Sequence, residues 1–243
     1  MILEVCVDSY SSILTAKKAG ANRIELCSAL NLGGLTPSYG LMKKAKEVSN
    51  IEIFVMIRPR SGDFLYDEED FETMLEDIEI AKEMNFHGIV IGFLLKDGTI
   101  DIERLKKVVQ IARPLKVVFH RAFDNAKNPI KDVPKLIDLG ICRILTSGQK
   151  TNALEGAEFI KELQEKYGNK ITIMSGCGVN ANNIEEIYNI TKCTNYHLSG
   201  KINITSQMEY KKCEAKIDPL EFSVAKADYN QIKAARDVLN SIK

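Results

Sequence analysis

Two short runs decide the fold: Ile2-Leu3-Glu4-Val5-Cys6-Val7 near the start, and Arg23-Ile24-Glu25-Leu26-Cys27 one helix-length later. Both are mostly apolar and bounded by turn residues, yet each carries a carboxylate and a thiol two positions apart. Because strand side chains alternate, Glu4 and Cys6 share one face and Glu25 and Cys27 share another, while Leu3, Val5, Ile24 and Leu26 face the opposite way. A strand polar on one side and apolar on the other, followed by an amphipathic stretch and a second such strand, predicts a βαβ unit.

The same alternation continues along the chain. Strands are predicted at 2–7, 23–27, 52–58, 88–92, 116–120, 143–146, 170–175 and 195–199. Helical patterns fall at 11–19, 39–48, 68–84, 102–112, 130–139, 153–166 and 182–190, with a last one from about residue 228. Ser38, Asp101 and Asp228 stand where N-caps are expected, and Gly20, Gly140 and Gly168 where helices end. Eight units in 243 residues predict an α/β fold, a (β/α)₈ TIM barrel forming a single domain over 1–243. A doubly wound open sheet uses the same units. The first strand-to-helix turn, Asp8-Ser9-Tyr10, lacks the glycine-rich phosphate fingerprint of that alternative. The 200–227 stretch, weakly periodic and mixed in polarity, reads either as a functional lid or as an irregular cover over the rim.

Lys plus Arg and Asp plus Glu are equal at 33 each, so no overall field draws the protein to nucleic acid or an anionic membrane. No apolar run reaches a membrane span, and six scattered cysteines without a CxxC pair suit reduced thiols in the cytoplasm. Neither a zinc-ligand spacing nor a GxSxG nucleophile elbow is present.

Strands of a parallel barrel are buried on both faces, so each ionisable residue on them needs a reason. Glu25, Arg58 and His120 fall at interior positions near strand carboxyl ends, where barrel active sites lie. Glu25 and His120 are candidate proton-exchanging groups, and Asp124 could orient His120 or accept a substrate hydroxyl. Arg58 and Arg60 suit a carboxylate or phosphate. Ser175, Gly176 and Gly178 after the seventh strand, with His197 and Ser199 on the eighth, mark the loops where barrels hold an anion. One reading is thus an enzyme, an isomerase, lyase or hydrolase, acting on a small anionic or phosphorylated metabolite. Another is a buried ion-pair network, Glu4 or Glu25 with Arg58, that fixes register and does no chemistry. A non-catalytic scaffold would leave the interior charges unexplained.

Five motifs in order carry a resemblance: Arg23-Ile24-Glu25-Leu26-Cys27, Gly33-Gly34-Leu35-Thr36-Pro37-Ser38, Ile57-Arg58-Pro59-Arg60 with Gly62-Asp63-Phe64, Phe119-His120-Arg121-Ala122-Phe123-Asp124, and Leu145-Thr146-Ser147-Gly148. The chain closely resembles the CutC family from Met1 to about Lys212. That resemblance implies a cytoplasmic (β/α)₈ barrel of copper homeostasis, a dimer or higher homo-oligomer, binding Cu(I) as cofactor or cargo through Cys6 and Cys27. A soft thiolate pair on neighbouring strands selects Cu(I). The chain departs from the family at Met208-Glu209-Tyr210-Lys211-Lys212, where Arg and Asn are usual at the last two positions, and at Cys177, where Gly or Ala is usual.

Overall fold

The computed structural model describes residues 1–48, 50–210 and 222–242. Eight parallel strands close into a barrel in sequence order: β1 (Ile2–Val7), β2 (Arg23–Leu26), β3 (Glu52–Met56), β4 (Gly88–Ile91), β5 (Lys116–Phe119), β6 (Arg143–Thr146), β7 (Thr172–Gly176) and β8 (Asn195–Leu198). The helices are α1 (Tyr10–Lys18), α2 (Tyr39–Ala45), α3 (Glu68–Glu83), α4 (Ile102–Ala112), α5 (Pro129–Asp138), α6 (Ala157–Tyr167), α7 (Ile184–Thr191) and α8 (Tyr229–Ser241). Closure by the β1–β8 pairing, with Glu4 opposite His197, rules out the open sheet.

Local chemistry and packing agree. Ser38, Asp101 and Asp228 accept the backbone N–H of Leu41, Arg104 and Gln231, caps typically worth ~1 kcal/mol each. α3 buries Phe71, Met74, Ile78 and Ala81, a stripe at helical spacing; each large side chain so buried contributes roughly 1.5–3 kcal/mol. The outward-facing strand residues, such as Leu3, Val5, Ile24 and Leu26, complete this shell between barrel and helices.

Inside the barrel the packing is different. Phe54 is fully buried, and its strand partner is Gly88. A Cβ at Gly88 would lie 2.3 Å from Phe54 Cε1, so only glycine leaves room for that ring. The 200–227 stretch contributes a two-stranded antiparallel sheet, β9 (Lys201–Thr205) with β10 (Ser223–Ala227). Gly200 and Lys201 of this stretch line the cavity at the barrel mouth. Lys211 and Lys212, where the sequence leaves the family pattern, lie outside the described residues.

Candidate functional site

A cavity of about 980 Å³ opens at the carboxyl ends of the strands, and Cys6, Glu25, Met56, Arg58, His120 and His197 all line it. Their convergence follows from strand parity. Each has the inward parity at or just past the end of a strand: Cys6 on β1, Glu25 on β2, Met56 and Arg58 on and after β3, His120 after β5 and His197 on β8.

Beneath the mouth lies a charged layer. Glu4 is buried and accepts from Arg23 Nε and from His197 Nδ1, the latter at 2.9 Å; Arg143 Nη2 is 3.5 Å away. Both guanidiniums also stack on the Phe54 ring, Arg143 at 4.7 Å and Arg23 at 5.5 Å. Burial opposes ionisation of Glu4, but the His197 hydrogen bond and the charges of Arg143 and Arg23 outweigh it and hold the carboxyl well below the usual range. Burial likewise opposes a charged His197, and Glu25, Cys6 and Glu4 outweigh it, so the imidazole is raised well above its ordinary value. A buried ion-pair network therefore exists. Its guanidiniums are those of Arg23 and Arg143 rather than of Arg58.

Arg23 and Arg143 are the residues that sequence reasoning passed over, since they open their strands and look like rim residues. The signal was present: Arg23 has the parity of Glu25, and Arg143 that of Leu145, which lines the cavity.

Arg58 is buried, but its guanidinium is committed to the loops. Nη1 donates to Leu32 O and Gly34 O at 2.9 and 3.1 Å, and Nη2 donates to Gly62 O at 2.8 Å. Arg60 is also spent, on Asp70 at 2.7 Å, on Asp63 and on Leu65 O. The guanidinium ends expected to hold an anion thus also clamp loops, with carbonyls and carboxylates as acceptors, while Arg58 Nε has no partner among the described residues.

His120 accepts the Ala122 N–H at Nδ1 over 3.1 Å, and its Nε2 has no partner. Burial, then the charges of Arg58 and Arg121, push its pKa down to about 3. With Nδ1 accepting, the neutral ring carries its proton on Nε2. Asp124 does not reach it. That carboxylate accepts from Thr146, from Ser147 N and Oγ and from Arg121 Nε, binding the loop after β6 instead. Phe64 covers His120 and Arg58, its ring centroid 4.9 Å from the imidazole and 5.1 Å from Arg58 Cζ.

On the far wall, Gly178 and Ser199 line the cavity. Gly176 points inward, where a Cβ would meet Leu145 and His197. Ser175 alternates to the helix side, beside the Cys193 thiol, and so offers no side chain to the mouth. His87 accepts from Ile53 N at the opposite rim.

Cys6 stands between two sets of donors. On one side Cys6, Cys27 and Met56 share a small buried cluster. On the other, ligand atoms of Cys6, Glu25 and His197 all lie within 4.8 Å of one another. Cys27 donates toward Glu25 Oε2 at 3.5 Å. Burial and the adjacent Glu25 push its thiol well above the ordinary value, and burial raises Glu25 against the pull of His197. The five cysteines among the described residues are free, and no described helix is long and apolar enough to cross a membrane.

The CutC family profile matches residues 1–202. A CutC family protein of Parabacteroides distasonis is 43% identical over 238 residues, 96% of this chain and 98% of the relative. One from Pasteurella multocida is 47% identical over 210 residues, 86% of each chain. A solved CutC structure from Streptococcus agalactiae, whose name refers to copper homeostasis, superposes with a TM-score of 0.77 at 35% identity, covering 81% of this chain and 97% of that one. Phosphoribosyl anthranilate isomerase of Thermotoga maritima superposes at 0.61 with 12% identity over 100% of both chains, a likeness of fold alone.

Proposed function

The chain belongs to the CutC family, and from that premise we propose that it handles Cu(I) as cargo in the cytoplasm, as a homo-oligomer, with Cys6 and Cys27 as the holding thiols. The observation that carries this reading is the sharing of one buried cluster by Cys6, Cys27 and the Met56 thioether. Thiolate and thioether sulfur select Cu(I) over harder ions, and an apolar pocket limits its oxidation. The cost is thiol ionisation at Cys27, which burial and then Glu25 oppose. Anaerobic titration of Cu(I) against a chromogenic chelator tests it. One equivalent should bind tightly to the parent; a Cys6→Ser/Cys27→Ser double variant that binds as tightly sinks the idea.

A second reading, an enzyme acting on a small anionic metabolite, is favoured by the cavity of about 980 Å³, far more room than one ion needs and typical of metabolite sites. Three lining residues carry buried polar atoms without partners among the described residues, His120 Nε2, Glu25 Oε1 and Arg58 Nε. In this reading the neutral His120 polarises a carbonyl, Glu25 exchanges the proton, and the anion rests on the loops around Gly178 and Ser199. A thermal-shift screen of metabolites should then give a stabilising compound whose effect His120→Ala removes; an absence of such compounds discards it.

A further inference from the structure

We infer that Cys6, Glu25 and His197 form a three-ligand site for a borderline divalent cation such as Zn(II), with its fourth position open to the cavity. The sequence shows no zinc spacing because the ligands come from β1, β2 and β8. Barrel closure makes these three strands consecutive neighbours, and the register sets Cys6 opposite Glu25 and Glu4 opposite His197.

The distances suit a metal. His197 Nε2 lies 3.6 Å from Glu25 Oε2, and a tetrahedral ion with bonds of about 2.2 Å separates its ligand atoms by about 3.6 Å. Cys6 completes the group, all three ligand atoms lying within 4.8 Å of one another.

Two features beyond the cluster point the same way. His197 gives its other ring nitrogen to Glu4 at 2.9 Å, the carboxylate–histidine pairing that fixes metal-binding imidazoles and leaves Nε2 for the ion. Glu25 Oε1 is buried without a partner, a carboxylate oxygen whose lone pairs a cation would satisfy. A mixed sulfur, nitrogen and oxygen set matches Zn(II) better than soft Cu(I), and three protein ligands beside a roomy cavity are the composition of catalytic rather than structural zinc.

This site stands apart from the Cu(I) reading. That one needs sulfur from Cys27; this one needs His197 and Glu25. Both share Cys6, so Zn(II) and Cu(I) should compete.

The full-length protein, stripped of metal under reducing conditions, is titrated with Zn(II) and with Co(II) as its spectroscopic stand-in. One equivalent should bind, and the Co(II) form should show a thiolate charge-transfer band with the intense visible bands of a tetrahedral ion. Cys6→Ser should lose the charge-transfer band. His197→Gln and Glu25→Gln should each weaken Zn(II) binding by at least about 10-fold, and Glu4→Gln by about 10–100-fold with the band retained at saturation. His197→Gln should keep Cu(I) affinity, while Cys27→Ser should keep Zn(II) affinity, which separates failure here from failure of the Cu(I) reading. A parent spectrum without the thiolate band overturns the site. So does a Cys27→Ser or Cys177→Ser variant that loses Zn(II) as completely as His197→Gln does. Circular dichroism checks each variant's folding. If one does not fold, X-ray absorption on the parent decides: one sulfur with nitrogen and oxygen neighbours supports the assignment, and two sulfurs overturn it.

Discussion

His197 donates from Nδ1 to Glu4 Oε1 over 2.9 Å, across the seam where the last barrel strand meets the first. The same carboxylate carries Arg23 and faces Arg143. Removing it leaves three buried cationic groups around an empty position. Glu4→Ala is therefore expected to destabilise the fold by about 3–5 kcal/mol, the usual result of breaking a buried ion pair on one side only. The shift of the urea unfolding midpoint at neutral pH measures it; a variant as stable as the parent contradicts the network.

His120 predicts an acid sensitivity. Its folded pKa is about 3, against about 6.5 in the unfolded chain. Between these values the unfolded chain binds the extra proton. The stability held by a neutral His120 is thus complete above the unfolded value and is lost as pH falls toward the folded one. The loss is at most about 1.4 kcal/mol per pH unit. Urea unfolding of the parent and His120→Gln between pH about 7 and about 5 should show a shallower pH slope in the variant. Equal slopes would contradict a depressed imidazole.

Arg58 should behave as a clamp. Its three carbonyl acceptors belong to the loops after β2 and β3, and the planar guanidinium reaches all of them where an ammonium cannot. Arg58→Lys is expected to cost about 2 kcal/mol and to speed amide exchange at Leu35, whose N–H bonds Ser28 O within that loop. Unchanged exchange at Leu35 would show that the loop holds itself.

Gly92 leaves the space that His120 occupies. A Cβ there would lie 2.5 Å from His120 Nδ1 and 2.9 Å from the Ala122 side chain. Gly92→Ala should therefore cost roughly 1–3 kcal/mol by overpacking and displace the imidazole from the Ala122 N–H. The His120 ring resonances in NMR report this directly, and unshifted resonances would refute it.

The positions of these side chains were partly legible before folding. Period-two alternation put Glu4, Cys6, Glu25, Cys27, Arg58, His120 and His197 inside the barrel, and the cavity lining agrees for most of them. Arg23 and Arg143 obey the same rule. They were missed because a charged residue at the start of a strand also fits a solvated rim.

Partners were not legible. Asp124 is four positions from His120 in sequence, yet it binds the loop after β6. Arg58 bonds carbonyls of the loops after β2 and β3, and Arg60 bonds Asp70 of α3, because these acceptors come within hydrogen-bond reach only once the chain is folded.

The sequence by itself determined the eight repeating units and the inward parity of their polar residues, since both depend on the short-range geometry of strands and helices. Tertiary structure alone decided which inward residues meet. Closure of β8 onto β1 joins groups 193 residues apart, and the stagger of the strands sets Cys6 between Cys27 and His197. Hydrogen bonds and metal ligation act over a few ångströms, whereas the register that fixes those distances is set by the packing of the whole barrel.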